Sequence, residues 1–183
     1  QRQMCIRDRA SAMSVGDPMA ADVQMGALIS EKHLGRVLDY VETGRNEGAT
    51  IATGGNRIRP QGFENGYFME PTILTNCTDN MRVVREEIFG PVMSVLTFIT
   101  EDEAIARANN TKFGLGAGLM TKDLARAHRV AGQLESGNVW VNTFNILPPG
   151  LPFGGAKNSG FGRENGIYAI EAYTEVRSTY IQL

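Results

Sequence analysis

The strongest constraint on the fold is the order of hydrophobic patterns between residues 91 and 142. Residues 91–99 (PVMSVLTFI) are apolar on both alternating faces and predict a buried strand. After it, the patterns predict a helix over 100–110, a strand over 114–121, a helix over 123–135 and a strand over 138–142. Strands that alternate with short helices favour a parallel sheet covered by helices. The sequence therefore predicts an α/β fold with ligand-binding residues in the loops beyond the carboxyl ends of the strands.

Capping residues mark the ends of two predicted helices. Between Ser30 and Gly48 the apolar residues recur at i, i+3, i+4 and i+7, which predicts a helix with one buried face. Ser30 can cap the start of this helix and Gly48 can end it. Thr100 and Glu103 have the spacing of a capping box at the start of a second helix. Residues 66–74 are rich in aromatic and β-branched side chains and predict a further strand.

Composition narrows the class of protein. The 18 basic and 20 acidic residues give a net charge of −2 without a long block of either sign, so nucleic acid is not an expected partner. No apolar run approaches the roughly 18 to 20 residues of a membrane span, so no membrane association is expected. The 2 cysteines form no CxxC pair or disulfide framework, which fits a reducing compartment. We therefore expect a soluble cytoplasmic protein.

Short motifs for nucleotides and metals do not occur in this sequence. The run GLGAGL has Leu119 where a dinucleotide-binding loop requires its third glycine, and no phosphate-binding P-loop motif is found. His33 and His128 lie in predicted helices without a second ligand at i+4, so no metal site is predicted. Cys77 has no adjacent base and is interpreted as a small packed thiol rather than a nucleophile.

Three segments stand out from the regular patterns. Residues 1–10 show no helical or strand periodicity and are interpreted as a non-native leader. The long loop 142–166 is rich in proline and glycine and still carries aromatic side chains, a combination typical of functional loops. In the segment VREEIFGPV, the adjacent acids Glu86 and Glu87 would ordinarily be a solvated turn. One ionised carboxylate at a sheet edge can also accept two hydrogen bonds from a ribose diol.

Three separated segments together resemble the C-terminal portion of the NAD(P)-dependent aldehyde dehydrogenases. They are REEIFGPVMSVLTF, NTKFGLGAGLMTKDLARAHRVAGQLESGNVWVN and LPFGGAKNSGFGRENG, in that order. The likeness runs from about Val15 to the end, and within the family it is greatest to betaine aldehyde dehydrogenase and its amino-aldehyde relatives. The resemblance implies that residues 11–170 are the C-terminal part of the parallel-sheet catalytic domain. It also implies that residues 171–183 form an oligomerisation arm ending in a strand, with Glu175 near the interface.

The resemblance also implies roles for individual residues. Glu87 would bind the hydroxyls of the nicotinamide ribose, Phe89 would pack near the nicotinamide ring, and Glu86 would be structural. The side chains expected to line the aldehyde tunnel are Phe144, Leu147 and Phe153. Glu164 would act as an auxiliary proton carrier. Aromatic tunnel walls suit a quaternary ammonium group through cation–π attraction.

The implied activity is oxidation of a small aldehyde to its carboxylate, with NAD or NADP as hydride acceptor, in a homo-oligomer such as a dimer or tetramer. In this family the nucleophilic cysteine and the general base lie N-terminal to the segments found here, so the chain alone is expected to be inactive. Two alternatives remain open from the sequence. The chain could be a catalytically inactive assembly or regulatory module, or a simple small-molecule binding domain.

Overall fold

The computed structural model describes residues 2–183. The helices are α1 (Arg2–Ser11), α2 (Glu31–Asn46), α3 (Arg82–Arg85), α4 (Glu101–Asn109) and α5 (Leu124–Ala131), followed by a 3₁₀ helix at Ile167–Tyr173. The strands are β1 (Thr50–Thr53), β2 (Arg57–Ile58), β3 (Phe68–Met69), β4 (Thr72–Thr75), β5 (Val92–Ser94), β6 (Phe113–Gly114), β7 (Gly116–Leu119), β8 (Asn138–Val141) and β9 (Ala156–Lys157). The chain forms two compact units, one ending at Thr97 and one beginning at Phe98.

The first unit is built on a three-stranded sheet in the order β1-β4-β5. Strand β4 lies in the middle, antiparallel to β1 and parallel to β5. Strands β2 and β3 form a separate antiparallel pair. The core of this unit consists of apolar residues from α2, the strands and the segment around α3: Leu34, Val37, Val41, Met69, Leu74, Met81, Val83 and Ile88. Through Val83 and Ile88 this core holds the segment between α3 and β5, where the acid pair is found.

Helix α2 forms for the reasons that the sequence indicates. The Ser30 hydroxyl accepts a hydrogen bond from the backbone N–H of His33 at 3.1 Å, which satisfies a free donor of the first turn. The apolar stripe of the helix is buried, and Val37 has no exposed surface. Gly48, with φ of +103°, follows the end of the helix in the left-handed conformation that favours glycine. The predicted helix and both of its ends are confirmed.

The second unit contains two small sheets and two helices. Strands β7 and β8 pair in parallel, whereas β6 and β9 pair antiparallel. At the start of α4, Thr100 Oγ1 accepts a hydrogen bond from the N–H of Glu103 at 3.2 Å. The Glu103 carboxylate accepts one from the N–H of Ile99 at 2.8 Å. The predicted cap is therefore present, with its return bond made one residue before Thr100.

One acid connects the two helices of the second unit. The Glu101 carboxylate on α4 pairs with Arg129 Nε at 2.7 Å and with Arg126 Nε at 3.0 Å, both on α5. Hydrogen bonding from Arg129, the largest contribution, and from Arg126 lowers the pKa of Glu101. The three side chains are solvent-accessible, so this contact orients α5 against α4 more than it adds stability.

Several sequence expectations differ from the structure. The predicted parallel pairing is found between β4 and β5 and between β7 and β8, but β1 adds an antiparallel edge to β4 that the sequence does not predict. The strand predicted over 91–99 is shorter in the structure: β5 spans Val92–Ser94, and its hydrogen bonds to β4 extend to the Pro91 carbonyl on one side and the Val95 N–H on the other. Residues 2–11 are helical although their apolar side chains form no stripe. Residues 174–183 form no strand within the described chain, because no sheet edge accepts them.

Among the residues that the structure describes, no helix has the length and apolar character needed to cross a bilayer.

Candidate functional site

The acid pair lies where α3 ends and the chain turns toward β5. Glu86, the first acid, is held by its surroundings: Tyr40 donates its hydroxyl to Oε2 at 2.8 Å. Arg82 donates from Nε and Nη2 to the same carboxylate, each at 2.9 Å. The carboxylate in turn raises the pKa of Arg82. Glu86 therefore has the structural role expected of it.

Glu87 has the opposite environment. Its side chain is exposed and makes no hydrogen bond or ion pair with any residue that the structure describes. It lines a surface cleft of about 370 Å³, together with residues between Val83 and Leu96. The cleft has both polar and apolar walls, because Ser94 and the two acids share it with Ile88 and Phe89. An ionised carboxylate with unused acceptor positions at a cleft can bind a diol.

Phe89 presents its ring to solvent beside that carboxylate. The side chain is 73% exposed, whereas the preceding Ile88 is buried in the core with 7% exposure. Phe89 has a backbone φ of +55°, a left-handed conformation that is rare for a bulky aromatic residue. This conformation turns Phe89 away from the core that holds Ile88. A free acceptor and a flat apolar ring thus lie two residues apart on one loop.

In the second unit, the loop after β8 begins with an aromatic pair. The ring of Phe144 is 5.0 Å from that of Trp140, centroid to centroid, and is tilted by 56°. Trp140 Nε1 donates a hydrogen bond to the carbonyl oxygen of Ile146 at 2.9 Å, which folds the start of the loop back toward β8. Phe144 also lies against Gly118 of β7, where an added Cβ would be 3.2 Å from the ring. Phe144 and Leu147 keep much of their surface exposed.

Two predicted site residues of the same loop are joined through their backbones. The Phe153 N–H donates to the Glu164 carbonyl at 2.8 Å, and the Glu164 N–H donates to the Phe153 carbonyl at 2.7 Å. The N–H of Gly166 bonds to the carbonyl of Pro149 at 3.0 Å, which closes the same hairpin-like segment. The Glu164 side chain is exposed and Phe153 is half-buried. The structure therefore brings Phe153 and Glu164 together, with Phe144 and Leu147 earlier in the loop.

Cys77 does not resemble an activated nucleophile. Cys77 is 8% exposed within the core of the first unit, and its Sγ lies 3.8 Å from the carbonyl oxygen of Thr75. Burial raises the pKa of the Cys77 thiol, which disfavours the reactive thiolate. Cys5 is exposed on α1. Within residues 2–183, no group of three or more His, Cys, Asp or Glu side chains is arranged to hold a metal ion.

One residue of the site was not found from the sequence. The sequence indicates only that His33 lies in a helix without a second metal ligand at i+4, yet its Nε2 lies 2.8 Å from the carbonyl oxygen of Phe89. A usable signal exists in the spacing, because His33, Val37 and Tyr40 lie at i, i+4 and i+7 on one face of α2. Nothing in the sequence indicates that this face meets a loop 56 residues further along the chain.

A family model described as the aldehyde dehydrogenase family matches residues 5–179 of this chain. The chain is 52% identical over 176 residues to a betaine aldehyde dehydrogenase of Brucella anthropi, covering 96% of this chain and 36% of that protein. It is 49% identical over 176 residues to a betaine aldehyde dehydrogenase of Brucella ovis, with the same shares covered. The chain thus spans a little over a third of the length of these curated relatives.

Solved structures resemble the whole of the described fold. An NAD+ complex of an aldehyde dehydrogenase from Bacillus cereus superposes with a TM-score of 0.92 at 45% identity, covering 99% of this chain and 36% of that one. A betaine aldehyde dehydrogenase from Staphylococcus aureus in complex with NAD+ superposes with a TM-score of 0.90 at 42% identity. That match covers 93% of this chain and 34% of the Staphylococcus aureus chain.

Proposed function

This chain belongs to the aldehyde dehydrogenase family, and on that premise we propose that it forms the C-terminal part of an enzyme that oxidises an aldehyde with NAD+. The proposed substrate is betaine aldehyde or a related amino-aldehyde, and the product is the carboxylate. Support comes from the Brucella relatives, which are betaine aldehyde dehydrogenases, and from the two similar structures that contain NAD+. Because the match covers about a third of those relatives, this segment is proposed to supply one part of the active centre.

The observation that carries the proposal is the pairing of Glu87 with Phe89 at one cleft. Glu87 is free of described partners, so both carboxylate oxygens are available to the hydroxyls of the nicotinamide ribose. Phe89 offers an exposed ring beside it, against which a flat heteroaromatic ring can pack. These residues fit the cofactor, which when bound supplies the hydride acceptor. The contribution of this loop is to fix the orientation of that acceptor.

The proposed aldehyde-binding residues are Phe144, Leu147 and Phe153. Exposed apolar surface on Phe144 and Leu147 is available to a ligand, and Trp140 holds the Phe144 ring in place. An aromatic face attracts a quaternary ammonium group by on the order of 1 to 2 kcal/mol when water is excluded. Glu164 is proposed as the auxiliary proton carrier. Its backbone is fixed to Phe153, and its exposed carboxylate can exchange protons with solvent.

The nucleophilic thiolate and the general base are proposed to come from the part of the enzyme that the relatives have in addition. Cys77 is buried and its thiol pKa is raised, so it does not fit a nucleophile that must be ionised near neutral pH. The 183 residues on their own are therefore expected not to oxidise aldehydes.

A hybrid enzyme tests the proposal. Residues 15–183 would replace the matching segment of the Brucella anthropi betaine aldehyde dehydrogenase, and NADH formation would be followed with betaine aldehyde, a short aliphatic aldehyde and no aldehyde. We expect turnover with NAD+ and the highest kcat/KM for betaine aldehyde. A folded hybrid that forms no NADH with any aldehyde would refute the proposal. It would favour the alternative of an assembly module, for which the exposed apolar tail at 174–183 is the relevant feature.

A further inference from the structure

One face of α2 contacts the loop of the acid pair at three successive points. Tyr40 donates its hydroxyl to Glu86 at 2.8 Å. One turn earlier, Val37 lies directly beneath Gly90, where an added Cβ would be 2.6 Å from Val37 Cγ1. At the start of the helix, His33 Nε2 lies 2.8 Å from the carbonyl oxygen of Phe89. The i, i+4, i+7 spacing places all three contacts on one side of the helix.

The hydrogen bond from His33 to Phe89 supports an unfavourable backbone conformation. Phe89 has a φ of +55°, which a bulky side chain adopts only when the surroundings hold it there. Its ring is 73% exposed, so burial of the side chain does not fix the residue. The chain on either side is fixed, because Ile88 is buried and the Pro91 carbonyl accepts a hydrogen bond from Thr72 N–H at 2.8 Å. The peptide unit after Phe89 is therefore held chiefly by His33.

We propose that His33 is a positioning residue of the cofactor-binding loop. Its imidazole holds the Phe89 carbonyl, and through it the left-handed backbone that directs the Phe89 ring outward. The proposal rests on the function proposed above for Glu87 and Phe89. A carbonyl oxygen can only accept, so the bond requires a hydrogen on Nε2 and, in the neutral ring, leaves Nδ1 as the acceptor. The edge of the imidazole also meets the Phe89 ring, with centroids 6.4 Å apart at 71°.

The first experiment examines the bond directly in the 183-residue chain. The chain has 2 histidines, His33 and the exposed His128 of α5. The imidazole ¹⁵N signals that remain in an H128A variant therefore belong to His33. We expect neutral His33 in the Nε2–H tautomer. We also expect H33A to shift the ¹³C signal of the Phe89 carbonyl, and H33Q, whose amide can donate to the same oxygen, to restore it. An Nδ1–H tautomer, or a Phe89 carbonyl unaffected by H33A, would overturn the proposal.

The second experiment measures the consequence in the hybrid enzyme. Loss of one hydrogen bond that orients the reacting ring is expected to lower kcat/KM for NAD+ about tenfold in H33A. H33Q should recover most of this loss and H128A should show none. Unchanged kcat and KM in H33A would overturn the role of His33 while the proposed function stands. An inactive parent hybrid would instead contradict the proposed function, and the tautomer experiment would still decide the role of His33.

Discussion

Glu86 and Glu87 are adjacent and chemically identical, yet their surroundings separate their roles. Both carboxylate oxygens of Glu86 accept hydrogen bonds from Tyr40 or Arg82, so this acid is already engaged by its neighbours. Glu87 has no described partner and lines the cleft. Helix α3 ends at Arg85 and the backbone is extended at Glu86, so the side chains of Glu86 and Glu87 point to different sides. Position along the backbone, not acidity, distinguishes the acid that neighbouring side chains hold from the acid proposed to bind the ribose.

Glu87→Gln in the hybrid enzyme should reduce kcat about tenfold, with a smaller change in KM for NAD+. The neutral amide loses one of the two acceptor oxygens, so the ribose is held at one hydroxyl and the ring is less well oriented. Steady-state kinetics with varied NAD+ provides the measurement. Glu42→Gln is a matched control, because Glu42 is an exposed acid of α2 that pairs with Arg45 at the surface. An unchanged kcat in Glu87→Gln would contradict the proposed ribose contact.

Because Cys77 is buried, we expect it to lower the free energy of unfolding at alkaline pH. Burial raises the thiol pKa above its ordinary value of 9.0, so the folded chain keeps the proton after the unfolded chain has released it. The stability from this group is complete below the pKa of the unfolded thiol and is lost as pH rises toward that of the folded thiol. Cys77→Ala should therefore show a smaller fall in unfolding free energy above about pH 9 than the parent, measured by urea denaturation. Equal slopes in the two proteins would contradict this, and Cys5→Ala serves as the exposed-thiol control.

The contribution of the α4 cap to the free energy of unfolding can be measured directly. Thr100 satisfies the N–H of Glu103, a donor that has no partner within the helix. Thr100→Ala should reduce the unfolding free energy by about 1 kcal/mol, and Thr100→Ser should retain most of it because the hydroxyl remains. Chemical denaturation followed by circular dichroism would measure both. Equal losses in the two variants would show that the methyl group, not the hydroxyl, stabilises this end.

The starts of α2 and α4 were more predictable than the lengths of the strands. The starts of α2 and α4 depend on hydrogen bonds within three residues of Ser30 and Thr100, so the local sequence contains the information. Strand length depends on a partner: β5 has the apolar pattern of a longer strand but pairs only where β4 lies beside it. Strand β1 has a weak pattern and forms because β4 is available. Pairing between distant segments cannot be inferred from the periodicity of either one.

In the candidate site too, features set by the local sequence were predicted and features set by contacts between distant segments were not. Glu87 and Phe89 could be singled out because they belong to a short contiguous motif with a recognisable resemblance. The pairing of Phe153 with Glu164 was not predicted, although both were proposed as site residues, because it depends on how the loop folds back. His33 was missed for the same reason. Its role depends on a loop 56 residues away, and a lone histidine in a helix has no local feature that indicates such a contact.

The second unit leaves more strand edges without a hydrogen-bonding partner than a stable isolated domain usually does. Strands β7 and β8 form a parallel pair without a third strand among the described residues, and two-stranded sheets are marginally stable in water. Parallel sheets are normally covered on both faces. The chain spans 36% of the length of the Brucella anthropi enzyme, and under the function proposed above the remaining part of the enzyme would supply strands that pair with these edges. Stability of the second unit is therefore expected to rise in the hybrid.

The tail at residues 174–183 is expected to join subunits, and this can be tested in the hybrid. Its apolar side chains lie almost fully in solvent, with Val176 at 103%, Tyr180 at 88% and Ile181 at 75% exposure. Such a run is unfavourable in water unless a neighbouring surface covers it, and an extended tail can do so by adding a strand to another subunit's sheet.

Deletion of residues 174–183 from the hybrid should lower the oligomer size measured by light scattering after gel filtration. The double substitution V176D and I181D should do the same without shortening the chain, because buried carboxylates would be left without partners at the interface. R177Q is the matched control, since it changes one polar side chain of the same tail. If both altered tails assemble as the parent does, the tail has no part in assembly, and its apolar residues must be covered by the subunit to which they belong.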